Sequence, residues 1–255
     1  METGDFSELA TDYARYRPSY NKNVIQEILE SVRKKPNTIK VADVGAGTGI
    51  FTKCLWDAGV TDLVAVEPNY NMRRAGEKFL DKDVKILRGS AEKTGLEGQS
   101  FDLVTMASAF HWSKTAHALT EFGRILLPNG VFSAIWNPRL TERSVPESEI
   151  QKLLEQKYKI VSRVSSGLSG ITEKIEGLLM ESGIFDSVIY VDSIDVVQRS
   201  HPEYIGAWRT VNDVQSQLGK DKFGEFIEDV EKIIAKTVYV EVHYLTRAWI
   251  ARKSI

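Results

Sequence analysis

The chain of 255 residues is nearly devoid of cysteine. Cys54 stands alone, so no intrachain disulfide can form and no multi-cysteine metal site can be built. Its place on one face of a predicted helix suggests a buried, inert thiol. The four histidines, His111, His117, His201 and His243, are spaced unlike any metal-binding motif. Neither sign of charge prevails: 33 Lys+Arg against 35 Asp+Glu leave a formal net charge of -2. That balance gives no broad field to gather nucleic acid or an anionic membrane surface. No apolar run approaches the roughly 20 residues that span a bilayer. Residues 1–5 are polar and acidic, without the features of a signal peptide. The expectation is a cytoplasmic protein, monomer or homodimer, with no nucleic-acid or membrane partner.

With 42% hydrophobic and 27% charged residues, the composition is that of a folded chain. Apolar residues at Val24, Ile25, Ile28, Leu29 and Val32 follow a helical period. Short β-branched runs then alternate with helical patterns, giving predicted strands at 39–44, 63–67, 84–87, 101–106 and 131–136. Five strands with helices between them predict an α/β fold with a doubly wound, mostly parallel sheet. The second half predicts helices at 147–160, 171–181, 204–218 and 223–236. Two more strands fall at 187–197 and 237–250, the last placing Val238, Val240, Val242 and Tyr244 on one face. Residues 137–169 lack clear strands and suggest a helical insertion or lid. The expected organisation is one domain over 1–255, with a ligand-binding core at 1–137 and lid helices plus two strands at 138–255.

The most informative stretch is Val41-Ala42-Asp43-Val44-Gly45-Ala46-Gly47-Thr48-Gly49-Ile50, where three alternating glycines separate a strand from a helix. Glycine allows the positive φ of a tight turn and lets a ligand approach bare backbone. The following helix offers free N–H groups at its start. A dinucleotide fingerprint needs a third small residue where this chain has the bulky Ile50. The turn therefore fits a nucleotide-like ligand without a pyrophosphate. Glu67 ends the second strand, twenty residues beyond Gly47, where a carboxylate can accept both hydroxyls of a ribose.

Those residues resemble the successive motifs of class I S-adenosylmethionine-dependent methyltransferases. The resemblance is carried by Asp43 to Gly49, Glu67-Pro68, Ser90-Ala91-Glu92, Ser100-Phe101-Asp102-Leu103-Val104, Ala109-Phe110-His111-Trp112 and Leu126-Leu127-Pro128-Asn129-Gly130. Tyr13-Ala14-Arg15-Tyr16-Arg17-Pro18 resembles the N-terminal segment of the trans-aconitate methyltransferase-like branch, which acts on small molecules. The resemblance implies a Rossmann-like, seven-stranded methyltransferase fold that binds S-adenosyl-L-methionine and releases S-adenosyl-L-homocysteine. It places the backbone of Gly45, Ala46, Gly47 and Gly49 beside the cofactor and gives Glu67 and Pro68 the ribose. Ser90, Ala91 and Glu92 fall beside adenine, and Ala107 and Ser108 near the sulfonium. Tyr13 and Arg17 close over the cofactor's carboxylate. Where the family often has aspartate, this chain has Ser90, so that adenine contact falls to Ala91 backbone or Glu92.

Methyl transfer is a direct displacement that needs alignment and exclusion of water rather than a covalent intermediate or a metal. His111 fits two roles: a general base for a hydroxyl or amine acceptor, or a wall of the pocket. An ionised carboxylate acceptor needs no base. Trp112, Trp136 and Trp208 are candidate walls of a substrate cavity, core packing being an equal reading for Trp136. Arg209 is a candidate partner for an acidic substrate, set against ordinary surface solvation. The expected function is methyl transfer to a small-molecule acceptor, most readily a carboxylate or hydroxyl oxygen. A nicotinamide-dependent oxidoreductase and a non-catalytic cofactor-binding module are the alternatives.

Overall fold

The protein is described by a computed structural model that covers residues 15–160 and 170–254. Seven strands form one sheet: β1 (Lys40–Val44), β2 (Asp62–Val66), β3 (Lys85–Leu87), β4 (Phe101–Ala107), β5 (Leu126–Trp136), β6 (Phe185–Arg199) and β7 (Val240–Lys253). Their order is β3-β2-β1-β4-β5-β7-β6. The first five run parallel, whereas β7 is antiparallel to both β5 and β6. The expected doubly wound, mostly parallel α/β sheet is what the chain forms.

Strands with helices on both faces must be apolar throughout, and β4 is buried at its first six positions. One face packs under α4 (Thr115–Ile125) and α6 (Ile171–Glu181), joining Phe122, Ile175 and Leu179 to Val104, Phe132 and Trp136. The other packs under α1 (Lys22–Ser31) and α2 (Ile50–Asp57), joining Ile28 and Leu55 to Val41 and Leu103. Helix α1 buries Val24, Ile25, Ile28 and Leu29, and the side chain of Asn21 caps it by accepting from Asn23 and Val24. Helix α3 (Tyr70–Phe79) is capped in the same way by Asn69.

The later helices form a third core at the far end of the β6–β7 ribbon. Here α5 (Val145–Gln156), α7 (His201–Arg209) and α8 (Asn212–Ile234) enclose Tyr204, Trp208, Phe226, Val242 and Tyr244. The continuous pattern expected at 204–218 is divided between α7 and α8, while Gly219, at φ 75°, kinks α8. His201-Pro202 opens α7, where the amide and hydroxyl of Ser200 both donate to Glu203.

Several boundaries differ from the sequence reading, β5 among them, which begins at Leu126 rather than at 131. β6 is longer than the 187–197 expected, because fourteen of its residues pair with β7 and carry the ribbon past the main sheet. β7 begins at Val240; Val238, expected in the strand on one face with Val240, is 91% exposed in the turn that links α8 to the strand. Residues 138–140 are not lid: the Leu245 amide donates to Pro138 and the Leu140 amide to His243, each at 2.8 Å, which fastens them beside β7. Residues 161–169 of the expected lid lie outside the described residues. Among the described residues no helix is long and apolar enough to cross a membrane.

The chain leaves β1 towards β2 and β3, then returns to the opposite side of β1 for β4 and β5. Loops after β1 and β4 therefore diverge, and a crevice opens at the carboxyl ends of those strands.

Candidate active site

The crevice holds a cavity of about 540 Å³. Its floor is the turn after β1. The amides of Gly45 and Ala46 both donate to the carbonyl of Val66, at 2.8 and 3.1 Å, which ties the turn to the end of β2. The glycines then divide their duties. A Cβ at Gly45 would stand 2.7 Å from that of Ala109, and one at Gly49 only 2.6 Å from Leu80, so both are demanded by packing. Gly47, at φ 58°, would direct a Cβ into open space with nothing within 4 Å. Gly47 therefore leaves the backbone bare toward the cavity. Gly49 is the N-terminal cap of α2 and does not line the cavity.

Glu67 closes β2 and is 7% exposed. Its two oxygens are held separately: Oε2 accepts from the Gly47 amide at 2.9 Å, and Oε1 from the Asn69 amide at 2.8 Å. Burial raises its pKa, an effect the two amide bonds and Arg73 oppose. The carboxylate is thereby aimed before any ligand arrives, with lone pairs left on both oxygens. Asp43 is fully buried near the end of β1 and borders the cavity. It accepts from the hydroxyls of Thr52 at 2.6 Å and Thr105 at 2.8 Å. Burial, reinforced by the charge of Glu67 against the two threonine bonds, pushes it up to about 6.

Most of the residues expected at a cofactor site meet around this cavity. Pro68 adjoins Glu67, and the loop Ser90, Ala91 and Glu92 forms the wall beyond β3. Ala107 and Ser108 follow β4, while Trp112 and Trp136 stand at the far end. Arg17 also lines the cavity, but two of its N–H groups are committed: Nε donates to Thr210 Oγ1 and one terminal nitrogen to the Thr210 carbonyl, each at 2.9 Å. It therefore fastens the N-terminal segment to the junction of α7 and α8. Tyr13 lies outside the described residues.

His111 stands behind the wall. Its Nδ1 accepts the indole N–H of Trp136 at 3.2 Å, and its Nε2 is buried without a partner. Indole only donates, so Nδ1 carries the lone pair and the ring proton sits on Nε2. Burial lowers the ring's pKa to about 4, against a smaller opposing effect of Asp213. A neutral ring whose free lone pair is already engaged has a donor at Nε2 and no free nitrogen to accept a proton.

Two expected substrate contacts are elsewhere. Trp208 is buried in the third core, with Arg139 4.9 Å above its ring and Phe226 5.1 Å away. Arg209 is exposed in a separate surface depression with Tyr16, His201 and Glu231. Adjacent residues on a helix point about 100° apart, so Trp208 and Arg209 cannot share a site facing one way. Cys54 is half-buried, with its sulfur 3.2 Å from Ser19 Oγ.

Sequence reasoning also missed cavity residues. Tyr20 reaches across from before α1, its hydroxyl 3.0 Å from Ser108 Oγ. Ser108 itself, at φ 52°, donates its amide to the Ile135 carbonyl at 2.7 Å. Asn137 lines the cavity and donates to the Ser19 carbonyl at 2.8 Å. Asp43 had a readable signal, an acid in an otherwise apolar strand; Tyr20 and Asn137 had none.

These residues fit S-adenosylmethionine. The bare face at Gly47 accepts close approach, and Glu67 offers a pre-aimed acceptor for hydroxyls. Thr48 Oγ1 is buried without a partner beside them. Ile50 occupies the wall where a dinucleotide turn would need a small residue.

Comparison with known proteins agrees. Residues 42–134 match the methyltransferase domain family. An uncharacterized methyltransferase of Mycobacterium tuberculosis is 37% identical over 134 residues, 52% of this chain and 52% of that protein. The chain thus spans about half the length of the curated relatives it matches. Among solved structures, a provisionally assigned type II methyltransferase from Anaeromyxobacter dehalogenans superposes with a TM-score of 0.69 at 18% identity, over 93% of this chain and 98% of that one. Phosphoethanolamine N-methyltransferase 2 of Haemonchus contortus, solved with phosphomonomethylethanolamine and S-adenosylhomocysteine, gives 0.56 at 15% identity, over 100% of this chain and 59% of that one. At such identities the structures speak for the fold alone. Residues 42–134 match a methyltransferase domain family, and the sheet built around them shares the fold of the solved methyltransferases it superposes on.

Proposed function

We propose that the protein transfers a methyl group from S-adenosylmethionine to an oxygen of a small-molecule acceptor, by direct displacement. The observation that carries this reading is the Glu67 carboxylate, anchored by the amides of Gly47 and Asn69 at the wall of the cavity beside the bare backbone of Gly47. When bound, S-adenosylmethionine supplies a methyl group activated on a sulfonium. Glu67 holds the ribose hydroxyls, Gly45, Ala46 and Gly47 accommodate the amino-acid portion, and Ser90, Ala91 and Glu92 border the adenine. Ala107 and Ser108 border the sulfonium. Trp112 and Trp136 enclose the acceptor end and exclude water.

The acceptor that fits best is a carboxylate. His111 is neutral with Nδ1 engaged, so it offers no base for a hydroxyl. A carboxylate is already ionised at neutral pH and needs none. The trans-aconitate methyltransferase-like branch, suggested by Arg15-Tyr16-Arg17-Pro18, is consistent with such an acceptor.

The test has two stages. Calorimetry should give binding of S-adenosylhomocysteine and none of NAD. A screen of small carboxylic acids, phenols and amines with methyl-labelled S-adenosylmethionine should then yield a methyl ester by mass spectrometry. Binding of NAD alone would overturn the methyltransferase reading. Products methylated only on nitrogen or carbon would overturn the oxygen acceptor.

A further inference from the structure

We infer that the depression beside Arg209 is a second ligand site, suited to a small amphoteric molecule with an apolar body, such as an amino acid, and coupled to the donor cavity. The site stands on its own residues; the coupling rests on the methyltransferase reading.

The depression has a volume of about 610 Å³ and shares no lining residue with the donor cavity. One stripe of α7 supplies its floor, because His201, Ile205 and Arg209 recur at every fourth position. Ile234 of α8 completes the base, and both isoleucines are buried. Tyr16 forms a side wall. Gly206 lets that ring lie against the helix, since a Cβ there would stand 2.7 Å from it. An aliphatic floor and an aromatic wall suit a ligand with a hydrophobic body.

Charge defines what the ligand must carry. The Arg209 guanidinium and the Glu231 carboxylate both border the depression and both are exposed. Among the described residues neither side chain has a hydrogen bond or ion pair. Opposite charges that share a depression without satisfying each other leave a donor fork and an acceptor pair open. A carboxylate takes the fork of Arg209, and an ammonium takes Glu231. The Arg15 guanidinium, 5.1 Å from the centre of the Tyr16 ring, adds positive charge beside the wall.

Coupling follows from bonded neighbours. Tyr16 lines the depression while Arg17 lines the donor cavity, and Arg209 lines the depression while Thr210 holds Arg17. Arg17 donates from Nε to Thr210 Oγ1 and from a terminal nitrogen to the Thr210 carbonyl, each at 2.9 Å. Thr210 is fully buried, and its hydroxyl donates to the Ala207 carbonyl at 2.7 Å. Depression and cavity therefore lie on two sides of one joint. A ligand held by Arg209 and packed on Tyr16 grips both halves of that joint, so the segment carrying Arg17 is already ordered when the donor binds. Affinities at the two sites then rise together, each by the same factor.

The intact protein is titrated by calorimetry with L-phenylalanine, with phenylacetate, which lacks the ammonium, and with phenethylamine, which lacks the carboxylate. L-phenylalanine is expected to bind, and the other two about tenfold more weakly. Arg209→Gln and Glu231→Gln, both surface changes that leave folding intact, should each weaken L-phenylalanine about tenfold. Saturating L-phenylalanine should raise the affinity for S-adenosylhomocysteine about fivefold in the wild type and leave it unchanged in Arg209→Gln. No binding of L-phenylalanine, equal binding of the three probes, or undiminished binding to Arg209→Gln would each overturn the site. Lowered affinity for S-adenosylhomocysteine would put the probe in the donor cavity and overturn it likewise, while unchanged affinity would overturn the coupling. A protein that bound L-phenylalanine as expected but no S-adenosylhomocysteine would lose the methyltransferase reading and keep the site.

Discussion

Trp136 donates its indole proton to Nδ1 of His111 across 3.2 Å, and this bond sets the state of the ring. The His111 pKa of about 4 lies below its ordinary 6.5, so between those values the unfolded chain binds a proton that the native protein refuses. The contribution to stability is complete above 6.5 and is lost as pH falls towards 4. Chemical denaturation should find the wild type losing at most about 3 kcal/mol more than His111→Phe over that range. With Nδ1 engaged, His111 should leave the pH–rate profile without a limb near 6.5 in the wild type. Such a limb, lost in the variant, would restore the base role.

The glycine turn offers an internal control. Gly47→Ala pays only for its left-handed backbone, about 1 kcal/mol, but places a methyl group in the cavity. It should remain folded and lose affinity for S-adenosylhomocysteine at least tenfold. Gly49→Ala drives a Cβ into Leu80 and should chiefly lower the melting temperature. The pair is compared by thermal unfolding and calorimetry. Equal affinity loss in both would show that Gly47 has no special relation to the ligand.

Glu67→Ala removes the acceptor for two backbone amides as well as for the ribose. Affinity for S-adenosylhomocysteine should weaken by about 1–3 kcal/mol. Glu67→Gln keeps one acceptor oxygen and should lose less. Calorimetry that gave wild-type affinity for the alanine variant would reject the ribose assignment.

A structural contrast lies in the third core. Glu147 accepts from Arg139 at 3.2 Å and from the Tyr204 hydroxyl, and its side chain is 1% exposed. Glu147→Ala strands Arg139 and should cost about 3 kcal/mol of stability. Because the pair lies outside the cavity, affinity for S-adenosylhomocysteine should hold in the fraction that stays folded. A matching loss of affinity would link this core to the site.

The α/β alternation, the glycine turn and the acid at position 67 were legible because each is written locally. A short strand such as β1, with valines at 41 and 44, wants an extended backbone, and Gly47 at φ 58° answers a local steric demand. The third core was harder to read, since helix period alone does not tell which neighbour a face will meet. Trp208 and Arg209 are adjacent in the chain, yet one is buried against Arg139 and the other faces solvent.

By itself the sequence determined the order of elements, the bare turn and the residue types at the strand ends, for these follow from backbone sterics and hydrophobic period over a few residues. Only the tertiary structure decided which polar groups stand together. Tyr20 meets Ser108 across 88 residues of chain, and Trp136 silences one nitrogen of a histidine 25 residues before it. Asp43 acquires its raised pKa from helices and strands that remove water and bring no cation. Burial and charge pairing are sums over neighbours in space, and those neighbours exist only once the sheet has closed.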